Sequence, residues 1–74
     1  MIRLKAARTD IQSSLLASAA YSIDATLDLQ FRNGAIYRYF AVPRAVFDAL
    51  IAAESKGAYF NHAIRNHFDY RRLG

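Results

Sequence analysis

The dipeptide Asn33-Gly34 is the strongest constraint on this chain. It sits between Leu27-Asp28-Leu29-Gln30-Phe31 and Ile36-Tyr37-Arg38-Tyr39-Phe40. Asn-Gly between two alternating runs is the clearest short-range signal for a β-hairpin. Two registers are open to it. A two-residue turn sets Ile36, Arg38 and Phe40 opposite Phe31, Leu29 and Leu27, which buries Arg38. A three-residue loop, Arg32-Asn33-Gly34 with Gly34 in the left-handed region, shifts the pairing by one. Tyr37 and Tyr39 then join Leu27 and Leu29, and Arg38 points away. An unpaired buried guanidinium is costly, so the second register is expected, with Ile36, Arg38 and Phe40 on the outer face.

The alternation extends back to Tyr21, with Tyr21, Ile23, Ala25, Leu27, Leu29 and Phe31 on one side. Period-2 patterning marks a half-buried strand. Eleven residues is long for a strand in a small domain. A turn at Ser22-Ile23-Asp24 is therefore favoured, with an earlier strand from about Leu15 to Tyr21. After the hairpin, Pro43 suits the first position of a helix, where a missing N–H costs nothing. Val46, Phe47, Leu50 and Ile51 form one stripe at helical spacing. Arg44 and Asp48, four apart, can pair on the solvent side. At Ser55-Lys56-Gly57 either Gly57 closes this helix or Ser55 caps the next. A second helix over roughly Ala58 to His67 follows from Phe60, Ile64 and Phe68 at four-residue spacing. The expected fold is α+β: a three-stranded antiparallel meander followed by two helices packed on one face.

A chain of 74 residues is one domain. Without cysteine, disulfides and Cys-based zinc sites are excluded. No apolar run reaches the roughly 18 residues that span a bilayer, and the start lacks the apolar block of a secretory signal. A cytoplasmic location is the resulting expectation. The net charge of +4 is carried by the ends. Arg3, Lys5 and Arg8 stand against Asp10, and Arg65, Arg71 and Arg72 against Asp69, while the middle balances. If the ends met, they would form one basic patch for an anionic partner.

In this order and spacing the residues resemble the KTSC domain family, known from the C-terminal extension of certain lysyl-tRNA synthetases and from short bacterial proteins. The carriers are Ser13-Ser14, Leu27-x-Leu29-x-Phe31, Asn33-Gly34, Tyr37-Arg38-Tyr39 and Val42-Pro43. They continue with Gly57-x-Tyr59-Phe60-Asn61, Ile64-Arg65 and Tyr70-x-Arg72-Leu73. At the first turn Ala20-Tyr21-Ser22 stands where members often have Gly-Tyr-Asp. The resemblance covers about Ser13 to Leu73. It implies a domain of unassigned activity, with RNA binding expected from the synthetase context. Residues 13–74 are read as a single KTSC-like domain. Residues 1–12 are read as an N-terminal segment, either frayed or adding an edge strand.

No serine lies in a nucleophile-elbow pattern, and the three glycines are too scattered for a phosphate loop. His62 and His67, five apart, diverge by about 140° on a helix and cannot share a metal as an i, i+4 pair does. No catalytic residue, metal site or cofactor is expected, and the reading is a non-enzymatic binding module. The candidate partner is RNA, tRNA included. Arg38, Arg65, Arg71, Arg72 and Lys56 would meet phosphates, and Tyr37 or Tyr39 would supply stacking. The alternative is a protein-protein module, including a homodimer, that uses Ile36 and Phe40 on an open sheet face. Convergence of Arg38, Arg65 and Arg72 on one side would favour the anionic partner.

Overall fold

The loop between the two hairpin strands has three residues, as the buried-charge argument requires. In the computed structural model, which describes residues 8–74, Gly34 takes φ +94°. Its N–H donates to Phe31 O (2.9 Å), and Phe31 N–H donates to Ala35 O (2.8 Å). Asn33 Oδ1 accepts from Ala35 N–H at 3.0 Å, which fixes the turn from its side chain. Leu29 therefore faces Tyr37, Leu27 faces Tyr39, and Asp28 faces Arg38.

The sheet holds five strands rather than three, all antiparallel and in sequence order. They are β1 (Arg8–Asp10), β2 (Leu16–Tyr21), β3 (Leu27–Phe31), β4 (Ile36–Tyr39) and β5 (Tyr70–Arg72). The turn between β2 and β3 lies where expected. Asp24 Oδ1 accepts from the Thr26 hydroxyl at 2.8 Å, and Ser22 N–H donates to Thr26 O at 2.9 Å. The two extra strands are the edges. Of the N-terminal segment read as residues 1–12, residues 8–10 form the edge strand β1, and residues 1–7 lie outside the described ones. Ile11, just after β1, is 2% exposed and belongs to the core, so the core begins before residue 13. At the other edge, what reads as a basic tail becomes β5. Phe40 N–H donates to Asp69 O (2.9 Å) and Leu73 N–H to Ile36 O (2.7 Å), which satisfies the free edge of β4.

The helices cover one face. Pro43 is the N-cap residue rather than the first helical one, and α1 spans Arg44–Ala52. Leu50 is fully buried, with Val46 and Phe47 packed against the core, whereas Ile51 is only half-buried. Arg44 and Asp48 pair at 3.1 Å on the solvent side. Tyr21 stacks on Phe47 at 5.2 Å and donates its hydroxyl to Val42 O at 2.6 Å. Ser55 caps the next helix by accepting from Ala58 N–H at 3.2 Å.

That second helix is shorter than its hydrophobic spacing implies. α2 spans Lys56–Tyr59 and widens into a π-helical turn over Phe60–Ile64. Arg65 N–H closes the turn by donating to Phe60 O at 2.8 Å. Asn66 then takes φ +64°, a left-handed conformation that asparagine tolerates and that ends a helix. Phe68 reaches the core from the following loop, not from a helix face.

Candidate nucleic-acid interface

Alternation within β4 and β5 places two different chemistries on the two faces of the sheet. Tyr37 pairs with Arg72, Tyr39 with Tyr70, and Arg38 with Arg71. Tyr37, Tyr39, Tyr70 and Arg72 therefore point to the helix side, while Arg38 and Arg71 point to the outer face.

On the helix side, α1, α2 and the π turn leave part of β4 and β5 uncovered. The result is a hollow of about 370 Å³. Its floor is aromatic: Phe31, Tyr37, Tyr39, Phe60 and Tyr70. Phe60, carried by the π turn, meets Phe31 edge-on at 5.2 Å and Tyr39 at 6.0 Å. Tyr70 lies 5.6 Å from Tyr37 and 5.8 Å from Tyr39. These rings differ in availability. Tyr39 is 5% exposed and serves as core, whereas Tyr70 is 56% exposed and Tyr37 is half-buried. Burial, reinforced by Tyr37 and Tyr70 and opposed by Arg65, pushes the Tyr39 hydroxyl up to about 12.

The rim holds Asn33, Asn61, Asn66, Arg65 and Arg72, and no carboxylate lines the hollow. The π turn accounts for part of this rim. It buries Phe60 and Ile64 and leaves Asn61 and Arg65 exposed. π turns recur at functional sites. The Arg72 guanidinium lies 5.8 Å from the centre of the Tyr37 ring and donates through Nε to Gly74 O at 2.8 Å. A second hollow, between the β1–β2 connection and the start of α2, shares Leu15 and Asn61 with the first.

The outer face is different. Arg38 makes a bidentate pair with Asp28, Nε to Oδ1 at 2.8 Å and Nη2 to Oδ2 at 2.9 Å. The hydrogen bond and the carboxylate charge together raise the pKa of the guanidinium. Arg8 donates to Ser18 Oγ at 2.8 Å, and the Ser18 hydroxyl donates to Gln30 Oε1 at 3.2 Å. The face is thus a polar network.

Four of the expected contact residues come together, namely Tyr37, Tyr39, Arg65 and Arg72. The expected convergence of Arg38 with Arg65 and Arg72 does not occur, because strand alternation sends Arg38 and its neighbour Arg71 to the opposite face. Lys56 lies at the second hollow and donates to Ala53 O at 2.7 Å. Ile36 and Phe40 do lie on the outer face. Arg38, bound to Asp28, stands between them, so they do not form a continuous apolar row; Phe40 is 36% exposed and Ile36 half-buried. The described parts of the chain ends do not meet either. β1 and β5 are opposite edges of the sheet, which is about 19 Å at the usual strand spacing.

Tyr70 and the three asparagines were not visible as site residues in the sequence. The Tyr70-x-Arg72 alternation, which mirrors Tyr37-x-Tyr39, was the available signal. Among the described residues no group of three or more His, Cys, Asp or Glu could hold a metal ion. No helix among them is long and apolar enough to cross a membrane.

Comparison with known proteins places this geometry. The KTSC domain model matches residues 12–68. An uncharacterized protein of Stutzerimonas stutzeri is 41% identical over 68 residues, covering 89% of this chain and 96% of that protein. A lysine–tRNA ligase of a Nostoc species is 48% identical over 48 residues, which is 65% of this chain but 9% of the ligase. The crystal structure of a KTSC domain protein from Yersinia pestis superposes with a TM-score of 0.86 at 33% identity, covering 92% of this chain and 97% of that one. The chain belongs to the KTSC domain family.

Proposed function

We propose that this domain is a small non-enzymatic binding module for single-stranded RNA, and that the aromatic hollow on the helix side is its contact site. One observation carries the reading: five aromatic rings and two guanidinium groups line a single hollow that no carboxylate enters. Single-stranded RNA is held by stacking splayed bases on aromatic side chains while cations meet the phosphates. Tyr70 and Tyr37 are the accessible stacking surfaces, and Arg65 and Arg72 are the phosphate partners. The asparagine amides at the rim supply donors and acceptors for base edges. The stretch shared with lysine–tRNA ligases supports an RNA partner. The hollow is lined by no histidine, serine or carboxylate, which supports binding without chemistry.

The test is a fluorescence-anisotropy titration with tRNA and with an unstructured oligoribonucleotide at low and at moderate salt. Weak binding that falls with salt is expected, with the unstructured strand at least equal to the folded one. No binding of either RNA at low salt removes the proposal.

A further inference from the structure

The second hollow, of about 520 Å³, adjoins the aromatic one and shares Leu15 and Asn61 with it. Both volumes fall within the usual range for small-ligand sites. Their linings differ. The second hollow has no aromatic ring. It is lined by Gln12, Ser13, Ser14, Ser55, Lys56 and Glu54, among others.

The serines there are arranged in a particular way. Ser13 Oγ accepts from Leu15 N–H at 3.1 Å and from Leu16 N–H at 3.2 Å. Ser55 Oγ accepts from Ala58 N–H at 3.2 Å. Backbone donors thus occupy oxygen lone pairs of both hydroxyls, and their O–H groups remain to donate outward. Gly57 keeps the two walls close. A Cβ there would meet Leu15 Cβ at 3.3 Å and Ser13 Oγ at 3.5 Å.

We infer that the two hollows form one groove for an extended RNA strand, with one nucleotide in the aromatic hollow and the sugar-phosphate of the next nucleotide in the hydroxyl-lined one. This rests on the RNA reading above and adds a length and a direction of travel across Asn61. A hollow without rings offers no stacking, so a second base has no platform there. Hydroxyl and amide groups suit the ribose hydroxyls and the phosphate oxygens. Lys56 and Glu54 offset each other in charge, so this half acts by hydrogen bonding more than by net attraction.

The experiment compares adenosine monophosphate with tetra-adenylate by two-dimensional amide NMR on the wild-type chain and on Ser14→Asp. Ser14 is exposed at the second hollow and has no part in the first. The monophosphate is expected to shift amides near Arg65, Asn66 and Tyr70 only. Tetra-adenylate is expected to shift Ser14, Ser55 and Gly57 as well, and to bind about tenfold tighter, the gain from one or two added hydrogen-bonded contacts. Ser14→Asp should remove that gain and leave monophosphate affinity unchanged. If tetra-adenylate shifts only the aromatic hollow and binds no tighter, the extended groove is wrong while the RNA reading stands. If neither ligand shifts the aromatic hollow, both fail.

Discussion

The division of arginines between the two faces makes a quantitative prediction about salt. If Arg65 and Arg72 are the phosphate contacts, two phosphates of a single strand are neutralised on binding, and about 0.7 counterion is released for each. The slope of log K against log salt is then about −1.4, from about −0.7 per contact. Raising salt from about 50 to about 200 mM should weaken binding about sevenfold on that slope. Arg72→Ala should halve the slope to about −0.7, and the double variant with Arg65→Ala should bring it near zero. Arg72→Lys separates charge from plane. It should keep the slope but lose affinity, because the guanidinium beside the Tyr37 ring is replaced by a point charge. Arg38→Ala and Arg71→Ala are the controls. Both lie across the sheet from the hollow, and the charge of Arg38 is already held by Asp28 at 2.8 Å. Anisotropy titrations at four salt concentrations measure all six slopes, wild type included, with circular dichroism confirming that each variant folds. A slope reduced by Arg71→Ala as much as by Arg72→Ala would refute the assignment of faces.

Other consequences concern stability. The Tyr39 pKa is raised from 10.0 to about 12, so the folded chain holds that proton more tightly than the unfolded one. The contribution is fully present below about pH 10 and is lost as pH rises through about 12, amounting to roughly 2–3 kcal/mol. Urea unfolding across that range should show the decline in the wild type and a smaller one in Tyr39→Phe. Ala25 and Ala41 sit at φ +67° and +56°, where an L side chain costs about 1–2 kcal/mol. Glycine relieves this but loses about 0.5–1 kcal/mol of unfolded-state entropy. Ala25→Gly and Ala41→Gly should each raise stability by a few tenths to about 1 kcal/mol in urea melts. Asp28→Ala should cost under about 1 kcal/mol, because its partner Arg38 is 42% exposed, and should leave RNA affinity unchanged.

The hairpin was legible because a single unfavourable event, burial of the Arg38 charge, rejected one of two registers. The turn before Leu27 and the α1 stripe were legible because each rests on local periodicity. What escaped was set by partners distant in sequence. β1 and β5 have three residues each, too few for a period to register. They are strands because neighbouring edges need hydrogen bonds. Read as a tail, residues 70–72 concealed Tyr70, the most accessible ring of the hollow. The four-residue spacing of Phe60, Ile64 and Phe68 imitated a longer helix, but Asn66 turned the chain into the left-handed region. Asn33, Asn61 and Asn66 are far apart in sequence, and only the loop, the π turn and its exit bring them to one rim. The outer-face expectation for Ile36 and Phe40 was sound as to side. The charge between them was visible in the sequence, but its bidentate hold on Asp28 depends on the strand pairing.

Photo-crosslinking tests the central claim most directly. An oligoribonucleotide carrying 4-thiouridine is irradiated with the protein, and the adducts are located by mass spectrometry. Attachment at Tyr70 or Tyr37 is predicted. Adducts confined to Phe40, Arg71 or other outer-face positions would contradict it.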